Sequence, residues 1–385
     1  MRLHDSMRAL HLISSGGIYG AENMMLSLCT GLRRQGCDTV VGVFLNSHRP
    51  NIDTTNRAKR LGLECATFSC DGRLDLSTVR AIRSYIVKNS IDLIHTHGYK
   101  ADIYGYAAIR GKSIASVATC HSWLDRMKQP PLSLRLYGIL DKAALRRFGI
   151  VAAVSDSLAD LLARVGIHPS NIRSIPNGID VEVFAKALPT FSEEIGKGKK
   201  ITVGMVSRLA PGKGADFLLR AAQMLLKEYP DVVFAFIGEG PERGRLMQLA
   251  QALKIATSCV FAGQRHDMPE VYASLDVVVL PSFSEGMPMS ILEAMAAGKP
   301  VVASPVGAIP AVVQADRTGL LVEPGNVTGL YEAIKKLLDA PELRRNFGEA
   351  GRALINRNYS SVSMAQNYLR VYLEALSSRA VAEQN

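Results

Sequence analysis

Two carboxylates with seven residues between them lie in the stretch Pro281-Ser282-Phe283-Ser284-Glu285-Gly286-Met287-Pro288-Met289-Ser290-Ile291-Leu292-Glu293, which runs into an Ala-rich segment with helical character. Glu285 sits among Gly and Pro just before that helix start, where unpaired backbone amides favour anions, so sugar hydroxyls and a phosphate could share one place. Glu293 has a structural alternative, because Ser290 to Glu293 matches the S-x-x-E capping box. A second stretch, Ser207-Arg208-Leu209-Ala210-Pro211-Gly212-Lys213-Gly214, sets two cations five positions apart on a turn. That spacing suits a diphosphate. It is not a Walker A loop, since Lys213 is followed by Gly214 rather than by a hydroxyl residue that would hold magnesium. In Gly238-Glu239-Gly240-Pro241 a proline starts a helix and glycines open space above a strand end. Near the N-terminus, Ser15-Gly16-Gly17-Ile18-Tyr19-Gly20-Ala21-Glu22 could bring backbone N–H groups against a phosphate, or could simply be a tight turn. His95, His97 and His121 all fall at expected strand ends. No carboxylate or cysteine set completes a metal site around His95-Thr96-His97-Gly98, so hydrogen bonding to a substrate is the favoured role there. No Asp-x-Asp pair follows a strand, which leaves no magnesium clamp.

The elements that position these loops alternate between short apolar runs and longer segments with helical spacing, the pattern of a parallel sheet covered by helices. The pattern predicts strands at 9–14, 39–44, 91–95, 116–119, 150–154 and 172–175, then at 201–207, 232–237, 259–261, 277–280, 301–303 and 320–322. Segments 21–35 and 76–89 carry apolar residues at three-to-four spacing, as a helix face against a sheet requires. The pattern lapses near 189–200 (PTFSEEIGKGKK), which marks a linker between two Rossmann-like domains, residues 1–188 and 201–358, followed by a helix and tail at 359–385.

Composition excludes several classes. With 385 residues, 48% hydrophobic and 21% charged, the chain is globular rather than disordered or collagen-like. No run approaches the roughly 18 apolar residues of a membrane span, and 9–13 is too short for the apolar core of a secretory signal. Six cysteines without a C-x-x-C pair fit reduced thiols, giving an expectation of a cytoplasmic protein with no disulfide and no structural zinc. The net charge of +10 is lopsided: residues 1–190 hold 24 Lys+Arg against 15 Asp+Glu, and residues 191–385 hold 21 against 20. A basic first half suits an anionic substrate or membrane surface, while one Trp and 6% aromatics argue against a nucleic-acid binder. Segment 132–148 (LSLRLYGILDKAALRRF) mixes apolar residues with Arg135, Lys142, Arg146 and Arg147, as a helix lying on an anionic membrane would, although a sheet-packing helix with a basic outer face reads the same way.

Taken in order, Gly16-Gly17 with Ala21-Glu22, His121, Pro176-Asn177-Gly178-Ile179-Asp180, Arg208 with Lys213, Gly238-Glu239-Gly240-Pro241, and the Glu285/Glu293 pair resemble the retaining GT-B glycosyltransferases, in particular glycosyltransferase family 4. The resemblance runs along most of the chain and implies an α/β fold of two Rossmann-like domains facing across a cleft. It implies a nucleotide-sugar donor held by the second domain, with UDP favoured over GDP, and an acceptor held by the first. Arg208 and Lys213 would then take the donor diphosphate and the leaving-group charge in place of a metal, with Gly17 capping it and Gly238 nearby. Glu285 would bind the transferred sugar, Glu293 the ribose, and amides of Gly286, Met287, Ser290 and Ile291 the phosphates and sugar. His121 would touch the sugar. Front-face attack, with the departing phosphate taking the acceptor proton, needs no general base, and no cofactor is expected. Segment 361–376 would cross back to the first domain. The expected acceptor is a saccharide or lipid-linked saccharide in cell-surface polysaccharide or lipopolysaccharide biosynthesis, with peripheral contact to the inner membrane face. A nucleotide-sugar epimerase or hydrolase on the same double fold is the alternative.

Overall fold

A computed structural model describes residues 7–15, 17, 20–46, 52–71, 75–121, 132–195 and 201–384. The chain forms two compact units, Met1–Gly178 with Ser361–Asn385, and Ile179–Ser360.

The first unit carries strands β1 (Arg8–Ile13), β2 (Asp38–Leu45), β3 (Glu64–Ser69), β4 (Leu93–His97), β5 (Ala115–Cys120), β6 (Ile150–Ala153) and β7 (Ile172–Ser174). They form one parallel sheet in the order β3-β2-β1-β4-β5-β6-β7. Parallel strands covered on both faces bury both side-chain sets, which is why β1, β4, β5 and β6 are buried almost throughout. Successive side chains of β1 point to opposite faces, so Leu10 and Leu12 pack with Ile82, Ile94 and Tyr104, while Ile13 packs with Met25, Cys29 and Val41. The helix Ser361–Gln384 belongs to this unit, and Gly31 of helix Gly20–Arg34 lets it approach closely: a Cβ at Gly31 would lie 2.8 Å from Ala365 Cβ.

Strand β3 carries no sequence signal. Its Glu64, Thr67 and Ser69 are exposed and only Ala66 and Phe68 are buried, because an edge strand has one open side and tolerates a mixed composition. Strand β4 also ends two residues later than its apolar pattern suggests, so His97 as well as His95 lies within a buried strand.

The second unit carries β8 (Thr202–Val206), β9 (Val233–Ile237), β10 (Cys259–Gly263), β11 (Val277–Leu280), β12 (Val301–Ala303) and β13 (Gly319–Leu321), again all parallel, in the order β10-β9-β8-β11-β12-β13. Val203, Met205, Phe234, Phe236 and Val279 form its core with Leu218, Leu219, Ile334 and Leu337 from the covering helices. Residues 179–195 pack with this unit. Phe191 is buried under the Arg265 guanidinium, which also donates to Glu194 and Asp267. In each sheet the winding reverses once, between β1 and β4 and between β8 and β11, and such reversals leave an opening beyond the strand ends where ligands sit. Both Rossmann-like sheets agree with the sequence expectation.

Candidate active site

At the β8/β11 reversal, four loops are tied together through backbone hydrogen bonds. Leu209 N–H donates to Glu239 O at 3.0 Å, Glu242 N–H to Leu209 O at 2.9 Å, Phe283 N–H to Gly212 O at 2.8 Å, and Ala308 N–H to Gly286 O at 2.8 Å. Glycine is required at two of these crossings. Gly214 has φ +78° and a Cβ there would meet Pro281 O at 2.1 Å, while Gly238 has φ +133° and would meet Ser207 O at 2.0 Å. Gly238 N–H is itself held by Gly263 O.

This framework brings Lys213 and Glu285, 72 positions apart in sequence, into one ion pair: Lys213 Nζ donates to Glu285 Oε1 at 2.7 Å. The lysine side chain is 28% exposed and the glutamate 9%, so the cation faces outward over a nearly buried carboxylate. Arg208 is exposed at the same loop, and among the described residues it pairs with no carboxylate. A cationic rim backed by a carboxylate is a place for phosphate oxygens and sugar hydroxyls together.

Glu293 stands in the helix Met289–Ala296, whose N-cap is Pro288 with no side-chain cap bond, so the S-x-x-E capping box is not formed. Pro288 fixes the helix start one residue ahead of Met289, which puts Ser290 inside the first turn rather than at the cap position the box needs. Glu293 is instead buried, and burial pushes its carboxyl up to about 7, offset in part by the Tyr272 hydroxyl, which is buried and otherwise makes no hydrogen bond. Met287 and Ile291 are buried and Gly286 and Ser290 half-buried around the same helix start. Ser282 and Ser304, in the loops that leave β11 and β12, are buried with hydroxyls that no described group satisfies.

In the first unit, Gly17 is buried in the β1 loop, where its N–H donates to Ser15 Oγ at 3.2 Å and Ser15 Oγ donates to Gly17 O at 2.6 Å. Gly16, Ile18 and Tyr19 lie outside the described residues. The histidines form a cluster that the sequence does not disclose. In the β1/β4 register His11 is the neighbour of His95 and Ile13 of His97, and the period of two turns His11, His95 and His97 to one face. His11 Nδ1 and His97 Nε2 lie 3.2 Å apart, and His97 Nδ1 and His121 Nε2 also 3.2 Å apart. The expected substrate contact is confined by this geometry: His95 and His97 are buried in contact with protein, and only His121, at the end of β5, is half-exposed. Sequence spacing around His95 and His97 shows no third ligand, whereas the fold brings potential ligand nitrogens of His11, His95 and His97 within 4.8 Å of one another. Every ring nitrogen of those three is already paired to a ring or hydroxyl.

Residues 18–183 match the Glycosyltransferase Family 4 domain and residues 189–354 the Glycosyl transferases group 1 domain. The chain is 30% identical to the D-inositol 3-phosphate glycosyltransferase of Corynebacterium jeikeium over 68% of its own length and 67% of that protein. It is 27% identical to the Escherichia coli UDP-Gal:alpha-D-GlcNAc-diphosphoundecaprenol alpha-1,3-galactosyltransferase over 69% of its length and 71% of the other. Among solved structures, Anabaena Alr3699/HepE in complex with UDP-glucose superposes with a TM-score of 0.83 at 23% identity, covering 97% of this chain and all of the other. The fold and the family matches thus define a glycosyltransferase of two Rossmann-like domains. The chain belongs to the GT-B glycosyltransferases of the family 4 type.

Proposed function

We propose that this enzyme moves a sugar, with retention of anomeric configuration, from a UDP-sugar to a saccharide or lipid-linked acceptor in cell-surface polysaccharide or lipopolysaccharide assembly. The observation that carries the reading is the Lys213–Glu285 pair beside Arg208 at the β8/β11 reversal. Lys213 and Arg208 would neutralise the diphosphate as the sugar leaves, which supplies fixed cations where charge develops and makes a metal unnecessary. Glu285 would orient the sugar hydroxyls. Gly238, together with amides of Gly286, Met287, Ser290 and Ile291, would line the phosphates and sugar, with the uncapped start of helix Met289–Ala296 favouring the anion. Glu293 would hold the ribose, Gly17 would serve the diphosphate, and His121 the sugar. The UDP-dependent E. coli relative, whose name specifies a diphosphoundecaprenol-linked acceptor, supports the donor and acceptor classes. The epimerase or hydrolase alternative is not favoured by the family match.

Cytoplasmic placement at the inner membrane face is part of the same reading. No helix among the described residues is long and apolar enough to cross a membrane. On helix Leu132–Leu145, Leu136 and Ile139 are 55% and 66% exposed, which a sheet-packing helix does not need and a headgroup layer would bury. Arg146 has a separate duty, since it donates to Val165 O and Gly166 O at the end of helix Asp156–Arg164. Leu136→Ser with Ile139→Ser, rather than charge reversal at Arg146, is therefore the informative change in a vesicle sedimentation assay, and equal binding by wild type and variant would remove the membrane contact.

Thermal shift with a panel of nucleotide-sugars, followed by acceptor-dependent nucleotide release, tests the function. A native-state ligand at 100 Kd raises stability by about 2.7 kcal/mol. Isomerised donor in the absence of acceptor would overturn the transferase reading. Activity lost more than about tenfold in EDTA and restored by magnesium or manganese would overturn metal independence.

A further inference from the structure

The histidine cluster continues beyond His11 and His97 into an unbranched chain of seven hydrogen-bonding groups: His121, His97, His11, Tyr372, His95, Thr119 and Tyr368. The links are His121 Nε2 to His97 Nδ1 at 3.2 Å, His97 Nε2 to His11 Nδ1 at 3.2 Å, and His11 Nε2 to Tyr372 Oη at 3.2 Å. They continue from Tyr372 Oη to His95 Nδ1 at 2.6 Å, His95 Nε2 to Thr119 Oγ1 at 2.7 Å, and Thr119 Oγ1 to Tyr368 Oη at 2.8 Å. Strands β1, β4 and β5 supply four members, helix Ser361–Gln384 supplies the two tyrosines, and His121 directly follows β5.

A neutral imidazole has one N–H and one acceptor nitrogen, and each hydroxyl has one proton. Seven groups joined by six links therefore hold one proton more than the links can use. Thr119 and Tyr372 are fully buried and, among the described residues, bond only within the chain, so neither hydroxyl can turn its proton out of it; all donors then run the same way, and the surplus proton lies at one end. Tyr368 is fully buried and, among the described residues, bonds only to Thr119, so a surplus proton there would be an unsatisfied buried donor. The other end, His121, is half-exposed, and its Nδ1 has no partner among the described residues.

We infer that the chain is proton-ordered from Tyr368 outward, so that His121 is held with its proton on Nδ1 and offers that N–H to a lone pair of the bound ligand. The ligand atom opposite is then a hydroxyl, ring or phosphate oxygen acting as acceptor. His97, His11 and His95 are fixed in the same Nδ1–H tautomer, since each donates from Nδ1 and accepts at Nε2. Burial favours the neutral rings this needs, lowering His121 to about 4 and His11 to about 3. The ligand half of the inference rests on the reading of His121 as a sugar contact; the proton order does not.

Long-range proton–nitrogen correlation spectra of the full chain, labelled with nitrogen-15 and free of ligand at neutral pH, report which nitrogen of each ring is protonated. The expected result is four rings in the Nδ1–H form, unchanged by equimolar zinc because no ring nitrogen of His11, His95 or His97 is free to bind it. A proton on His121 Nε2, mixed tautomers, or zinc displacing the ring protons would overturn the ordering. Whichever of UDP-glucose and GDP-mannose raises the Tm should then shift the His121 Nδ1–H resonance without changing its tautomer. A ligand that raises the Tm and leaves that resonance unmoved would overturn the donor contact and the sugar reading of His121, while the proton order would stand.

Discussion

Glu285 and Glu293 differ in what surrounds them, and that difference sets separate outcomes for the same chemical change. Glu285 is paired with Lys213 and, in the proposed site, orients the transferred sugar, so Glu285→Gln is expected to lower kcat by about 100-fold or more while the protein stays folded. Near wild-type turnover would sink the proposed site. Glu293 is buried and, among the described residues, paired with no cation, with its carboxyl near 7, so about half of it is protonated in the free enzyme at neutral pH. Ribose hydroxyls donate to a carboxylate better than to a neutral acid, and donor KM in the wild type should rise as pH falls from 8 to 6. Glu293→Gln should have a higher KM that no longer varies over that range, because the titrating group is gone. A wild-type KM that is flat between pH 6 and 8 would separate Glu293 from the donor. Lys213 and Arg208 offer a further contrast. Either change to Ala should slow transfer, but Lys213→Ala also takes the paired cation from a carboxylate that is only 9% exposed and should cost about 1–3 kcal/mol of stability, whereas the exposed Arg208 should cost almost none. Urea denaturation of both variants checks this.

The loops that carry these residues work because backbone passes against backbone where no side chain would fit. Gly214→Ala places a Cβ 2.1 Å from Pro281 O at a positive φ, so the β8 and β11 loops must separate, taking Lys213 away from Glu285. The expected cost is about 1–3 kcal/mol together with a loss of activity larger than the loss of folded protein accounts for. Gly212, also at positive φ but with open space around its Cβ position, should lose stability on substitution without that extra loss of turnover, which makes Gly212→Ala the control. If the two variants behave alike, the close approach at Gly214 has no part in building the site. Gly31 plays the corresponding part in the first unit, where helix Gly20–Arg34 meets helix Ser361–Gln384; Gly31→Val should destabilise the unit and loosen the tyrosines of the proton-ordered chain.

At the scale of the molecule, the buried ionisable groups give the two units opposite responses to acid. In the first unit, burial lowers His11 to about 3 and His121 to about 4, and holds His95 and His97 well below the usual imidazole range. Between pH 7 and 5 the unfolded chain therefore binds these protons first, and stability falls as pH falls, by up to about 1.4 kcal/mol per pH unit for each ring. Asp102 and Asp141 act in the other direction, because burial raises both, Asp102 further through the neighbouring Asp141 and Asp141 to about 6 despite its bond to Asp102, but two carboxyls do not offset four imidazoles. In the second unit, Glu293 near 7 binds its proton in the folded state first, so that unit gains stability over the same fall in pH. Hydrogen exchange of peptides from each unit in urea, corrected for the intrinsic pH dependence of exchange, should show protection falling in the first unit and holding or rising in the second. Parallel changes in both would contradict the lowered imidazole values of the first unit or the raised Glu293 of the second.

Much of this was written locally. Apolar runs and helical spacing give every strand except β3, because a strand buried on both faces must be apolar along its length, while an edge strand such as β3 is under no such demand. The glycines, Arg208, Lys213, Glu285 and Glu293 are legible for the same kind of reason, since loop chemistry needs particular residue types at short spacing. Tertiary structure alone decided between the capping box and burial for Glu293, because Pro288 and Ser290 are both plausible helix starts until packing selects one. It alone joined Lys213 to Glu285 across 72 residues. It alone placed His11 and the two tyrosines of the last helix among His95, His97 and His121, since strand register and the return of a helix to the first unit are long-range facts that no local pattern encodes.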